Sequence, residues 1–101
     1  MKLFLDDERT PPDGWTLVRW PDEVIELLEL GGVDELSLDH DLGDDQRGTG
    51  YDVLKWLEEA VYIRGFRPPN RIVIHSANAS AWTKMSAAID SIYRGADTSD
   101  R

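Results

Sequence analysis

Short apolar runs alternate along the chain with longer stretches in which apolar residues recur at helical spacing. Four runs have the length and composition of strands: residues 3–5, 15–20, 36–38 and 72–74. Three longer segments have the apolar stripe of a helix: residues 21–30, 49–64 and 80–93. Pro21 suits a first helical turn, and Thr49 with Asp52 forms the pattern of a capping box. Trp82 falls on the predicted inward stripe of the last helix, which Gly95 is expected to end.

The resulting order, β-β-α-β-α-β-α, predicts the fold class. Helices between strands imply crossover connections, so we expect a mostly parallel sheet with helices on both faces, the three-layer α/β architecture. The first connection contains Pro11 and Pro12 and is barely long enough for a crossover. It predicts either unusual pairing of the first two strands or an irregular loop. Residues 1–101 are expected to form one domain, with residues 97–101 as a flexible tail.

The composition limits the partners of the protein. Its 101 residues include 20 acidic and 11 basic side chains, which give a net charge of −9, and no cysteine. The lack of cysteine excludes a disulfide scaffold, a thiolate zinc site and a cysteine nucleophile. The negative charge opposes binding of duplex nucleic acid, but a small phosphorylated substrate chelated by a cation is compatible with it. With neither an apolar run of membrane-spanning length nor a leader, we expect a cytoplasmic protein without membrane attachment. The sequence leaves the oligomeric state open.

Polar and titratable residues follow three of the four predicted strands. Each group begins where an apolar run ends: Asp6-Asp7-Glu8-Arg9, Asp39-His40-Asp41 and His75-Ser76-Ala77-Asn78. Open parallel sheets bind ligands at the carboxyl ends of their strands, and these ends share one edge. We therefore expect the three groups to meet in one site.

The carboxylates at this edge indicate a metal ion. Acids held close together repel one another unless a cation binds between them. Asp6, Asp7 and Asp39 offer the oxygen ligands that Mg²⁺ takes, and Asp41 with the histidines extends the choice to Mn²⁺. The alternative is that these acids are solvated strand ends and turn residues. The meeting of two acidic groups at one edge favours the metal site.

The remaining polar residues of the three groups allow two interpretations each. His40, between two acids, is either a general acid or a residue bonded to the backbone. His75 is either a packed strand-end histidine or a metal ligand or proton shuttle. Ser76 and Asn78 fit helix caps and also a phosphate cradle, two roles that are compatible. Arg9 is either a phosphate clamp or the counter-ion of the two acids before it.

The segment Leu38-Asp39-His40-Asp41-Leu42-Gly43-Asp44, followed by Gly50-Tyr51-Asp52-Val53, resembles the acceptor segment of response-regulator receiver domains. In that family an aspartate ends the third strand and a glycine opens the next helix. Leu5-Asp6-Asp7 resembles the family's acidic pair, and Ile72-Val73-Ile74-His75-Ser76-Ala77 its fourth strand with a hydroxyl residue. The resemblance extends over residues 2–93 and implies a flavodoxin-like fold.

The chain differs from the typical receiver domain in two places, and its added polar residues resemble one branch of the family. Receiver domains have a helix where this chain has residues 10–14. They also have a fifth strand ending in a lysine that contacts the phosphoryl group, whereas Lys84 lies inside a predicted helix. The added histidines, Asp41 and Asn78 make the chain similar to a divergent branch, the cyclic-phosphate processing receiver domain. That resemblance implies a truncated receiver-like fold and a metal-dependent phosphoesterase acting on cyclic phosphates of nucleotides or RNA ends.

Three functions are compatible with these residues. The favoured one is hydrolysis of a cyclic phosphate, with Mg²⁺ or Mn²⁺ on Asp6, Asp7 and Asp39. His75 is then the favoured proton donor and His40 its orienting neighbour, while Asp39 is either a ligand or a nucleophile that forms an aspartyl-phosphate. The second is non-catalytic binding of a metal or nucleotide. The third is a phospho-accepting receiver for signalling, which the missing lysine argues against.

Overall fold

The computed structural model describes the backbone of residues 1–99 and the side chains of residues 1–97. The elements follow the predicted order: β1 (Lys2–Leu5), β2 (Thr16–Val18), α1 (Pro21–Leu30), β3 (Glu35–Leu38), α2 (Gly50–Arg64), β4 (Arg71–Ile74) and α3 (Ala79–Ser99). Residues 97–99 of the predicted tail belong to α3, and residues 100 and 101 lie outside the described residues. Within the described part, no helix has both the length and the apolar character needed to cross a membrane.

The four strands form one parallel sheet in the order β2-β1-β3-β4. Leu5 pairs with Val18 on one side and with Leu38 on the other, and Leu38 pairs with Ile74. This is the flavodoxin-like strand order without a fifth strand among residues 1–99, and its switch point lies between β1 and β3. The predicted α/β class and truncated receiver-like fold are confirmed.

All three helices pack against the same face of the sheet. In-register residues of parallel strands point to one face, and Leu3, Leu36 and Ile72 form such a row. This row belongs to the hydrophobic core, which also contains buried residues from each helix, among them Val24, Leu54 and Met85. The fold therefore differs from the three-layer expectation in one respect: over the described residues, the helices form a single layer.

The other face of the sheet, which we call the open face, carries Phe4, Leu17, Ser37 and Val73. Phe4 meets Trp15 edge-on, with ring centroids 6.4 Å apart, while Leu17 is 50% exposed. Trp15 belongs to the connection between β1 and β2, which has no helix because its prolines oppose one. Of the two predicted alternatives the irregular loop is confirmed, and the strands that it joins pair regularly in parallel.

The last helix departs from the prediction at two positions. It continues through Gly95 to the end of α3 instead of ending there. A Cβ atom at Gly95 would lie 2.7 Å from ring atoms of Tyr62, so this glycine permits close packing of α3 on α2. Trp82, predicted to point inward, is 49% exposed because the buried stripe runs one position away, through Ala81 and Met85.

Candidate functional site

Three side chains form a row at the carboxyl ends of β1, β3 and β4. The ladder continues beyond the strands: the N–H of Asp39 donates to the carbonyl of Leu5 (3.0 Å), and the N–H of His75 donates to that of Leu38 (2.9 Å). Asp6, Asp39 and His75 therefore occupy matching positions, on the side of the open face. One potential ligand atom from each lies within 4.8 Å of the others. We call Asp6, Asp39 and His75 the strand-end cluster.

The strand-end cluster borders a pocket of about 340 Å³. The charged residues that line it are Asp6, Asp7, Glu8, Arg9, Asp39 and Asp41. Asp7 is half-buried at this pocket, whereas the side chain of Asp41 is 61% exposed at its rim. Five carboxylates and one guanidinium give the pocket a negative potential, which favours a cation over a free phosphate.

Asp6 is 1% exposed and accepts hydrogen bonds at both oxygens. Oδ1 accepts from the backbone N–H groups of Glu8 (2.8 Å) and Arg9 (2.9 Å), and Oδ2 lies 2.9 Å from Nε2 of His75. Burial opposes ionisation of Asp6, but these donors outweigh it and hold its pKa below the ordinary value of 3.8. Asp6 is thus a carboxylate at neutral pH, in the form that binds cations.

Asp39 lies in a less favourable environment for a charge. Burial raises its pKa above the ordinary value of 3.8, and the negative charges of Asp6 and Asp7 add to the effect. The backbone N–H of His40, 2.8 Å from Oδ1 of Asp39, and the nearby His75 oppose this shift without cancelling it. A cation bound at the pocket would relieve the repulsion among these carboxylates.

Both ring nitrogens of His75 have partners. Nε2 lies 2.9 Å from Oδ2 of Asp6, and Nδ1 lies 2.7 Å from Oγ of Ser37. The ring also stacks on Phe4, with centroids 4.2 Å apart and planes within 3°. His75 is therefore packed, and it also contacts a carboxylate of the site. Its role as proton donor stays a prediction, and neither nitrogen is free in this arrangement.

His40 forms a pair with Asp41, which lines the pocket at its rim. Nδ1 of His40 lies 2.8 Å from Oδ1 of Asp41, and Nδ2 of Asn78 lies 3.4 Å from Oδ2. The bond with His40, with a smaller effect from Asn78, holds the pKa of Asp41 below its ordinary value, although partial burial opposes this. Nε2 of His40 has no partner in the described part of the chain. Ligation by Asp41 and acid catalysis by His40 stay predictions.

Ser76 and Asn78 form the turn that begins α3. Oγ of Ser76 accepts from the N–H of Asn78 (3.1 Å), and Oδ1 of Asn78 accepts from the N–H of Ala81 (3.0 Å). Both residues therefore stabilise the helix start, as one of their two interpretations predicts. Because Oδ1 of Asn78 caps the helix, its amide group faces Asp41 at the pocket rim. The phosphate-binding role of the turn stays a prediction.

Arg9 does not act as the counter-ion that one interpretation predicted. Its Nη1 donates to the carbonyl of His75 at 3.0 Å, and among the described residues its guanidinium forms no ion pair with Asp6 or Asp7. Only the backbone N–H of Arg9 bonds to Asp6. The guanidinium is exposed beside the pocket, which leaves the phosphate-clamp interpretation as a prediction.

The roles of two residues at this site were not predicted from the sequence. Ser37 is 5% exposed in the middle of β3, and the signal for it was a single hydroxyl between Leu36 and Leu38. Gly50 begins α2, and a Cβ atom there would collide with the carbonyl oxygen of Asp39. This close approach depends on tertiary packing, so the sequence marked Gly50 only as the glycine that opens a helix.

The donor atoms of the strand-end cluster suit a divalent cation. Two carboxylates and one imidazole, beside a further carboxylate at Asp7, offer oxygen and nitrogen ligands without sulfur. A set dominated by carboxylate oxygens is typical of sites for hard cations. The cluster could therefore hold a divalent metal ion.

Comparison with known proteins assigns this chain by its sequence. The profile of the family described as "Cyclic-phosphate processing Receiver domain" matches residues 1–91. Neither the curated proteins nor the solved structures include a match to the chain. The matched residues contain all four strands, the first two helices and the whole strand-end cluster. The chain belongs to the family of cyclic-phosphate processing receiver domains.

Proposed function

We propose that the protein is a divalent-metal-dependent phosphoesterase that opens cyclic phosphates of nucleotides or RNA ends. The observation that carries this proposal is the strand-end cluster, in which carboxylate oxygens of Asp6 and Asp39 and a ring nitrogen of His75 lie within 4.8 Å of one another beside an acidic pocket. The family assignment supports the substrate class, because it links the chain to cyclic-phosphate processing.

Asp6, Asp7 and Asp39 are the residues that would hold Mg²⁺ or Mn²⁺, with Asp41 at the rim. Such an ion, when bound, polarises phosphoryl oxygens and neutralises the charge that develops on them. The chain supports this role by keeping Asp6 ionised through two backbone N–H groups. Burial, with the charges of Asp6 and Asp7, raises the pKa of Asp39, so a cation that stabilises its charged form would be favoured at the site.

Donors on two sides of the pocket would hold the phosphate oxygens. Arg9 offers a guanidinium whose Nη1 is fixed on the carbonyl of His75. Asn78 offers an amide group held at the rim by its own capping bond, next to Ser76 at the start of α3. A helix start with free N–H groups also favours an anion. The negative potential of the pocket would repel a phosphate, so these donors would hold its oxygens only when a cation is bound as well.

We propose His40 as the proton donor to the departing oxygen, and His75 as an orienting residue. This reverses the preference drawn from the sequence. Nε2 of His40 lacks a partner among the described side chains and backbone, whereas both ring nitrogens of His75 are bonded. A general acid needs a ring nitrogen that can reach the substrate, and the bonds of His75 leave it none.

The test is a panel of 2′,3′- and 3′,5′-cyclic nucleotides and cyclic-phosphate-ended RNA, incubated with Mg²⁺, Mn²⁺ or a chelator and read by mass spectrometry. We expect a mass gain of one water on at least one substrate, dependent on metal and lost in Asp39→Asn. Asp90→Asn, which removes an exposed carboxylate on α3, is the matched control and should keep full activity. Metal binding without any hydrolysis would instead favour a non-catalytic binder.

A stable phosphoryl group on Asp39 after treatment with acetyl phosphate would contradict this proposal and favour a phospho-accepting receiver. We expect no stable adduct. The position of Lys84 supports this expectation. Its Nζ lies over the ring of Tyr51, 4.5 Å from the ring centroid, and Lys84 does not line the pocket.

A further inference from the structure

A serine, a histidine and an aspartate form a continuous hydrogen-bonded chain beneath the pocket. Oγ of Ser37 lies 2.7 Å from Nδ1 of His75, and Nε2 of His75 lies 2.9 Å from Oδ2 of Asp6. Hydrolases with a nucleophilic serine use these residue types with the hydroxyl exposed to substrate. Here the hydroxyl is the buried end, at 5% exposure within β3, and Asp6 is the end that lines the pocket. Ser37 is therefore not a nucleophile.

The partners at each end of the chain determine where the imidazole proton lies. Oxygens of a carboxylate act as acceptors, and Oδ1 of Asp6 already accepts two backbone N–H groups, so the contact at Oδ2 favours the proton on Nε2 of His75. In neutral imidazole the other nitrogen is then an acceptor, and the hydroxyl of Ser37 is the donor in contact with it. The ring also stacks on Phe4, which packs against its face.

We propose that Ser37 is a positioning residue: its hydroxyl holds His75 as the Nε2–H tautomer, and His75 in turn fixes the Asp6 carboxylate for a cation. The last step rests on the metal-dependent function proposed above, whereas the tautomer does not. Asp6 already accepts two backbone N–H groups at Oδ1, so the bond from His75 fixes its second oxygen and completes its orientation. Residues that orient a ligand in this way tune metal affinity without touching the ion.

The opposite assignment makes a different prediction about the same ring. If His75 ligated the ion through Nε2, that nitrogen could not carry a proton, and Nδ1 would donate to Ser37 instead. The two assignments therefore differ in tautomer. His40 offers an internal reference, because its Nδ1 faces the carboxylate of Asp41 at 2.8 Å and is expected to carry the proton.

The tautomers are read from long-range ¹H–¹⁵N correlation spectra of the ¹⁵N-labelled, metal-free protein at about pH 8, above the ordinary histidine pKa. The chain has two histidines, so two ring patterns are expected, and His40→Ala removes one of them. We expect Nε2–H at His75 and Nδ1–H at His40. Addition of Mg²⁺, which is diamagnetic, should leave the His75 pattern unchanged. An Nδ1–H pattern at His75, with or without Mg²⁺, would overturn the proposal.

Variants at Ser37 connect the tautomer with the metal. In Ser37→Ala, we expect mixed tautomers at His75 and about tenfold weaker Mn²⁺ binding by calorimetry. Ser37→Thr keeps the hydroxyl and should restore both the tautomer and the affinity. Ser86→Ala, which removes a half-buried hydroxyl of α3, is the matched control and should change neither.

The outcomes separate this proposal from the proposed function. Mn²⁺ binding that is unchanged in Ser37→Ala, with His75 still a single Nε2–H tautomer, would overturn the role of Ser37 and leave the metal site intact. A wild-type protein that binds neither Mn²⁺ nor Mg²⁺ would contradict the proposed function, and the positioning role would fail with it.

Discussion

Asp6 and Asp39 occupy matching positions on neighbouring strands, yet their environments shift their pKa values in opposite directions. Burial opposes the charge on each. Asp6 has two backbone donors and His75, so its pKa is lowered, whereas Asp39 has one backbone donor and faces the charge of Asp6. In the metal-free protein, the charged form of Asp39 is therefore unfavourable. Asp39 is also the residue that a phospho-accepting receiver and a metal site would both use.

This difference predicts how stability depends on pH. Because the pKa of Asp39 is raised on folding, its contribution is most favourable below its ordinary value of 3.8 and is lost as pH rises through the raised value. Asp39→Asn cannot ionise and escapes this loss. In metal-free melts, the Tm advantage of Asp39→Asn over the wild type should widen from about pH 4 to about pH 7. Asp90→Asn should show no such widening, and a gap that narrows with pH would contradict the raised pKa of Asp39.

The loss of kcat on removing a histidine should depend on the leaving group for one of the two histidines only. If His40 is the proton donor, His40→Ala should lower kcat by about 10²–10⁴-fold on substrates with an alkoxide leaving group. A nitrophenolate leaving group departs without a proton and should be much less affected. His75→Ala should lower kcat by similar factors on both, because it acts through Asp6. The reverse pattern, with His75 sensitive to the leaving group, would restore the preference drawn from the sequence.

At the scale of elements, the start of α2 is fixed against the end of β3. The N–H of Gly50 donates to the carbonyl of His40 (3.2 Å), and a Cβ atom at this position would collide with the carbonyl oxygen of Asp39. Thr49 and Asp52 cap the helix at this point, so the predicted capping box is confirmed. The helix start and the site are therefore one packed unit.

Gly50→Ala tests this coupling. Alanine favours a helix by about 1 kcal/mol over glycine, yet we expect net destabilisation by about 1–3 kcal/mol because the methyl group displaces Asp39. Mn²⁺ affinity should fall by about tenfold or more, measured by calorimetry. The matched control is Gly65→Ala, strained by its φ of +65° but with open space around it and distant from the pocket. It should lose stability without losing affinity. Equal affinity in both variants would contradict the coupling.

The cap of α3 can be separated from any phosphate role of the same residue. Asn78→Ser keeps a capping oxygen but loses the amide group that faces Asp41, whereas Asn78→Ala loses both. We expect Asn78→Ala to lower stability by about 1 kcal/mol and Asn78→Ser to keep it. Both should raise KM for a cyclic nucleotide if the amide binds phosphate. An unchanged KM in Asn78→Ser would reduce Asn78 to a cap.

The elements and the edge that carries the site could be predicted because three of the four strands, β1, β3 and β4, end where an apolar run meets an acid or a histidine. Asp6, Asp39 and His75 are the first residues after such runs, and parallel register aligns them. The bonds among them could not be predicted in the same way. The partner of His75 is Ser37, from the middle of another strand, and no local pattern links the two.

At the scale of the whole molecule, the sequence predicted helices on both faces of the sheet, whereas the described helices pack on one face. Leu3, Phe4 and Leu5 are consecutive apolar residues, a pattern typical of strands buried on both faces. Phe4 is indeed 7% exposed, but Trp15 and His75 cover it instead of a helix. A run of apolar residues therefore indicates that a strand is buried, but it does not indicate which element covers the strand. The end of α3 was predicted wrongly because Gly95 allows close packing against Tyr62 and does not end the helix.

The net charge of −9 makes the response to metal a property of the whole molecule as well as of the site. Any salt screens the repulsion among its carboxylates, so a specific site must be distinguished from general screening. A ligand of the folded state at about 100 times its dissociation constant adds about 2.7 kcal/mol of stability. For a domain of this size, this corresponds to an increase in Tm of about 10–20 °C.

We therefore expect Mg²⁺ or Mn²⁺ to raise the Tm by this amount, beyond NaCl of the same ionic strength. Asp39→Asn should lose the specific increase, because it removes a carboxylate whose charge burial and the neighbouring Asp6 and Asp7 oppose. Asp90→Asn makes the same change in net charge at an exposed position of α3, so it should keep the increase. A response that NaCl reproduces, or that both variants share, would mean that the cation acts on the surface charge and that the strand-end cluster holds no metal.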